Sequence, residues 1–158
     1  YRLENDDFTE SQTCETISFT LYFLKEHLGR SANPDDPQLV PIQRVIMKAP
    51  NIAHLTLDAL FVGPTREEKK EHDLGLPLYF QNGGVNIYPE HPHPSQEGNV
   101  LNNVAVVKLQ EVHRHLFTTQ KWRKWRHASI ASTLKQFPSI DHVLYSFDGD
   151  IVNVEAEW

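Results

Sequence analysis

From Ile17 to Leu24 the chain sets Ile17, Phe19, Leu21 and Phe23 against Ser18, Thr20, Tyr22 and Leu24. A period of two in branched and aromatic residues builds one apolar face on an extended strand, a sorting that a helix of period 3.6 does not give. A lone strand is not stable in water, so this run needs both a pairing strand and a layer to cover its face.

The rest of the chain supplies candidates for both. Turn formers fill Gly29–Pro37, and a second extended run follows over Leu39–Met47, with Val40, Ile42 and Val45 or Ile46 inward. Pro41 has no N–H to give a ladder, which makes this run an edge strand or a bulged one. Pro50-Asn51 opens a helix with Ile52, Leu55, Ala59, Leu60 and Val62 as its apolar positions. Gly63, free to go left-handed, and Pro64 stop it. Thr65-x-x-Glu68 reads as a capping box starting a short helical turn. Asn82-Gly83-Gly84 predicts a hairpin turn between short runs at Leu76–Phe80 and Val85–Tyr88. Val100–Leu109 is a further strand, and Thr118–Phe137 a long helix with Trp122, Trp125, Ile130, Leu134 and Phe137 along one side, ended by Pro138. Ile140–Phe147 and Ile151–Val154 are strands joined by a tight turn at Asp148-Gly149-Asp150.

That order predicts an α/β (α+β) fold, a mixed sheet packed against two main helices, near Pro50–Phe61 and Thr118–Phe137. Its core should hold Phe19, Leu21 or Phe23, Leu57, Leu60, Val106, Ile130, Leu134, Phe137 and Val143. At 158 residues the chain suits one domain. We expect a polar lead-in at residues 1–14 and a single domain at 15–158, carrying a Pro/His-rich loop at 89–99.

Composition narrows the function. No apolar stretch approaches the roughly 20 residues of a membrane helix, and the acidic opening is unlike a signal peptide. The reading is therefore a cytosolic chain, or a segment whose export signal or anchor is missing. Cys14 is the single cysteine, which rules out an intrachain disulfide and a multi-cysteine zinc site. A net charge of −6 argues against bulk nucleic-acid affinity.

A search for chemistry finds little. There is no phosphate-binding glycine loop and no nucleophile elbow. Of nine histidines, His91 and His93 flank Pro92 and His113 and His115 stand two apart; these four would be the ligands of an alternative, a metal-dependent hydrolase. Solvated loop histidines are the plainer reading, because a metal site needs fixed geometry and supporting hydrogen bonds. Lys121, Arg123, Lys124 and Arg126 interleave with Trp122 and Trp125. On a helix the tryptophans share a face, and the four bases become a solvated stripe or a contact for an anionic partner.

Several phrases together resemble a known family. Leu57-Asp58-Ala59-Leu60-Phe61-Val62-Gly63-Pro64-Thr65-Arg66-Glu67-Glu68 is similar to the "ALxxLLxGPTxEE" segment of GerMN domains, and Leu74-Gly75-Leu76-Pro77 follows at a fitting distance. Ser132 to Val143, with Thr133, Leu134, Phe137 and Pro138, together with Asp148-Gly149, looks like the family's "TLTQFPxVxxVxxxxDG" signature. The likeness spans roughly Ile17 to Asp150. It implies a small module similar to the ring-building units of sporulation channel proteins, found in exported or membrane-anchored bacterial envelope, sporulation and germination proteins. Such a module is non-catalytic, uses no cofactor, binds protein partners or cell-wall polymer, and is compatible with homo-oligomers. Gly63, Pro64, Pro77, Thr133, Leu134, Phe137, Pro138 and Gly149 would be its fold-determining positions. The chain departs from the pattern in the longer His/Pro insertion and in lacking the tandem copy and lipobox.

Overall fold

The computed structural model describes residues 15–25, 33–72, 74–75, 80, 82–88 and 103–158. Cys14 and the lead-in, Pro77, and the 89–99 loop with His91 and His93 lie outside these residues.

The alternating run forms β1 (Thr16–Lys25), antiparallel to β2 (Leu39–Met47) with Leu21 opposite Ile42. On its other side, among the described residues, β1 meets the short β3 (Leu74–Gly75) through Leu24 and Lys25, giving a sheet of order β2-β1-β3. The period of two sorts as expected: Phe19, Leu21 and Phe23 are buried. Pro41 stands opposite Tyr22 on β2, the outer strand.

A second sheet has the order β4-β5-β6-β7, from Val85–Tyr88, Val104–Leu109, His142–Phe147 and Asp150–Val152. Among the described strands only β5 and β6 run parallel, joined through helices as a parallel connection requires. The strands thus divide between two sheets instead of forming one. The β6–β7 turn is the two-residue Asp148-Gly149, with φ of 49° and 95°. Positive φ at both positions matches the right-handed twist of the flanking strands, and the second falls on glycine as predicted.

The first helix, α1 (Ile52–Val62), buries Ala53, Thr56, Leu57, Leu60 and Phe61. This corrects the predicted stripe: Val62 is 80% exposed. Phe61 takes the inward place, with its ring edge-on to Phe80 at 5.6 Å. Thr56 is tolerated inside because its hydroxyl donates to the Ile52 carbonyl at 2.7 Å. Gly63 ends the helix at φ 95°, ψ 179°, so it is not in the left-handed helical region; this extended, positive-φ conformation is one that glycine alone adopts readily. The capping box opens α2 (Arg66–Glu71) as read, with Thr65 and Glu68 bonding each other's backbone.

A short helix, α3 (His115–Thr118), ends at the predicted start of the long helix, and that helix, α4, spans only Arg123–Lys135. Thr118 and Thr119 donate back to the carbonyls of Arg114 and His115, an arrangement that weakens and bends a helix. Phe117, Trp125, Ile130 and Leu134 are buried, whereas Phe137 is half-buried at the edge of the core. The predicted last strand is shorter, since Val154 begins a 3-10 turn (Val154–Glu157) and is buried there. Of the predicted hairpin, 76–79 lie outside the described residues; β4 pairs with β5, and Gly83 and Gly84 extend that ladder through Lys108. Gly83 is needed there because a Cβ would come within 2.9 Å of the Lys108 carbonyl.

Candidate functional site

The two long edges of the first sheet differ. Beyond β3, the inner edge of β1 meets α4 side chains in place of a strand. The Gln136 amide accepts from Thr20 N–H at 2.8 Å and donates to Thr20 O at 2.6 Å, reproducing both bonds of a ladder pair. Thr133 Oγ1 accepts from Tyr22 N–H at 3.1 Å, and Ser129 Oγ donates to Tyr22 O at 2.5 Å. Ser129, Thr133 and Gln136 recur at helical spacing, so one stripe reaches the strand while Ile130 and Leu134 enter the core. Thr133 and Gln136 are polar members of the segment singled out in the sequence, and their physical reason is edge closure.

These bonds also fix the phase of β2. Because Thr20 and Tyr22 turn their backbone groups toward α4, Phe19, Leu21 and Phe23 turn theirs toward β2. Their partners Arg44, Ile42 and Val40 face back. Leu39, Pro41, Gln43, Val45 and Met47 therefore point their backbone groups outward. Pro41 occupies an outward position, where its missing N–H costs the sheet nothing. Among the described residues, no strand pairs with the outward N–H and C=O groups of Gln43, Val45 and Met47. Val45 is 65% and Met47 58% exposed. The inward Arg44 is held by Glu68 of α2 at 2.5 and 3.1 Å. Burial pushes the Glu68 carboxyl up, but the bonds from Arg44 and Thr65 outweigh it and hold it below its ordinary range.

The basic segment does not form one open cationic face. Lys124 reaches Asp35 at 2.9 Å and lies over the Trp158 ring; that hydrogen bond and charge hold the Asp35 carboxyl low. Arg126 donates to Leu116 O, and burial lowers its pKa. Arg123 donates to Gln120 O, and Lys121 sits over Trp122 in the open. Of the four histidines, His91 and His93 lie outside the described residues. His113 packs its ring against Phe80, His115 is exposed, and among the described residues no group of three potential ligands converges.

Two polar constellations escaped sequence reading. Buried His127 joins Tyr145 OH through Nδ1 and Glu155 through Nε2, each at 2.8 Å. The neutral ring satisfies both by accepting from the tyrosine and donating to the carboxylate. Burial lowers the His127 pKa despite the opposing pull of Glu155, and raises that of Tyr145. Tyr145 is fully buried, and the chain of bonds runs from it through His127 to Glu155 on the 3-10 turn, where His127 and Glu155 also line a cavity of about 280 Å³. The second constellation lies beside a cleft of about 510 Å³ between the start of α1, β4 and Phe137–Ser139. There Asn82 Nδ2 donates to Asp58 Oδ1 at 2.8 Å and to His54 O at 3.2 Å. Both constellations join residues too distant in the chain to be paired by spacing.

Neither a family model nor a curated protein matches the chain. Solved structures do. The tandem GerMN domains of the sporulation protein GerM from Bacillus subtilis align at 19% identity and a TM-score of 0.51, over 87% of this chain and 41% of that one. The chain thus spans about two fifths of the tandem structure. The first GerMN domain alone aligns at 19% identity and a TM-score of 0.50, over 86% of each chain. A Clostridium perfringens chain provisionally classed as a lipoprotein aligns at 17% identity over 89% of this chain and 80% of its own, with a TM-score of 0.45, too low to bear on the fold. The chain has a GerMN-like fold.

Proposed function

We propose that this chain is a non-catalytic binding or scaffolding module of a bacterial cell-envelope or sporulation/germination protein, and that its partner docks by adding a strand to β2. The observation that carries this reading is the outward edge at Gln43, Val45 and Met47, which no strand among the described residues pairs with, and the two apolar side chains exposed beside it. Strand addition uses such an edge: backbone bonds supply affinity and alternate side chains supply selectivity. The likeness in fold to a sporulation protein supports the setting, and our reading places the parent protein outside the cytoplasm, exported or membrane-anchored. Lys121 and Arg123, with Lys124 and Arg126 behind them, are a subsidiary contact for an anionic partner such as cell-wall polymer.

The test is capture of partners from cell-envelope extract by the parent chain and by Val45→Pro. That substitution deletes a central outward N–H and leaves the β1 ladder intact. Partners should be lost from the variant while its circular dichroism is kept. Undiminished capture by a folded Val45→Pro overturns the edge as the site, and loss on reversing Lys121 and Arg123 instead moves it to the basic segment.

A further inference from the structure

Asn82-Gly83 is the sole Asn-Gly pair in the sequence. Glycine after asparagine favours spontaneous deamidation, because without a Cβ the glycine nitrogen swings easily onto the asparagine side-chain carbon. Both reacting groups are held here. Gly83 N–H donates to Lys108 O at 2.9 Å, locking the nucleophile into the ladder with β5. The side chain is fixed at both ends: Oδ1 accepts from Gly84 N–H at 2.9 Å, and Nδ2 bridges Asp58 and the His54 carbonyl. The amide ties α1 to the entry of β4.

We infer that Asn82 is a self-modification site that the folded state protects, and that its product cannot rebuild this tie. In the step, Gly83 N bonds to Asn82 Cγ and the Cγ–Nδ2 bond breaks. Ammonia leaves with the proton from the glycine amide. Water then opens the cyclic imide to aspartate or isoaspartate. Either product sets an acceptor-only carboxylate where a donor had faced the Asp58 carboxylate at 2.8 Å. The new charge is repelled at that spacing. His54, with Nε2 3.3 Å from Asp58 Oδ2, offsets the repulsion only when protonated. Loss of ammonia makes the conversion one-way, so an opened chain that reacts loses the clasp beside the α1–β4 cleft.

The experiment is peptide mass spectrometry of the full chain after incubation in mildly alkaline buffer, native and in urea, alongside Asp58→Ala. Local protection predicts conversion at Asn82 about tenfold or more slower in the native chain than in urea. In Asp58→Ala, folded by circular dichroism, native conversion accelerates toward the urea rate. Equal rates in native buffer and urea overturn the protection. Should Asp58→Ala not fold, Asn82→Asp replaces it. Faster amide exchange over Val85–Tyr88 than in the parent is expected there, and unchanged exchange overturns the loss of the tie.

Discussion

The inner edge of β1 and the outer edge of β2 pose the same problem, a row of backbone donors and acceptors without a neighbouring strand, and the chain treats them in opposite ways. At β1, Ser129, Thr133 and Gln136 supply donors and acceptors in place of a strand. At β2, Pro41 blunts one position, while Gln43, Val45 and Met47 stay open beside two exposed apolar side chains. An open edge is an aggregation hazard that proteins ordinarily blunt with charge, bulges or a covering element. The difference teaches that closure lay within this fold's means and was applied only where the sheet meets α4. The open side is the edge to which the proposed partner strand is assigned.

The largest expected effect comes from unseating the helix that closes β1. Leu134→Ala leaves a cavity in the core and should cost about 2–5 kcal/mol in chemical denaturation. If the loss is under about 1 kcal/mol, α4 is not anchored as described. Next come the closing groups themselves. Gln136→Ala strands Thr20 N–H and C=O, and Thr133→Val strands Tyr22 N–H; each should cost about 1–3 kcal/mol. A cost near zero for both would make the closed edge no different from the open one.

A third prediction sharpens the role of α4 through pH. Because the His127 pKa is lowered by burial, the unfolded chain takes up this proton first as pH falls. The contribution of neutral His127 is complete above the ordinary histidine value of about 6.5 and is lost as pH drops below it toward the folded pKa. Tyr145 and Glu155 face the ring, and Lys135 acts on it at longer range. The urea midpoint of the parent should therefore fall between neutral and mildly acidic pH. In His127→Gln the pH dependence over that window should flatten, and an equally steep fall contradicts the assignment. The smallest effect belongs to the open edge: Val45→Lys touches nothing that holds the fold and should change stability by no more than about 0.5 kcal/mol.

These contrasts also show what the sequence made legible. The β1 alternation, the Thr65/Glu68 capping box and the Asp148-Gly149 turn are local, set by residues within a few positions of one another, and each formed as read. Pro41 marked β2 as an edge for the same local reason. The phase of α1 was less legible because Leu60, Phe61 and Val62 are consecutive apolar residues, and periodicity alone does not choose which of them faces out. Thr118 and Thr119, at the head of the predicted helix, bond back to the turn before them and close α3, so α4 begins only at Arg123. Edge closure itself was out of reach of spacing. Ser129 and Thr133 read as ordinary helix polar positions until Tyr22, more than a hundred residues earlier, is set beside them. Likewise Lys124 read as a free cation until Asp35 met it across the fold.

Amide hydrogen exchange on the isolated chain, resolved by residue, tests the closed-versus-open contrast most directly. Thr20 and Tyr22 should exchange slowly, approaching the global unfolding limit, because α4 side chains hold them. Gln43, Val45 and Met47, on the adjacent strand of the same sheet, should exchange far faster than their inward neighbours Ile42, Arg44 and Ile46. Val45 and Met47 amides as protected in the monomer as Thr20 and Tyr22 would mean that the β2 edge is already occupied, and would contradict the account.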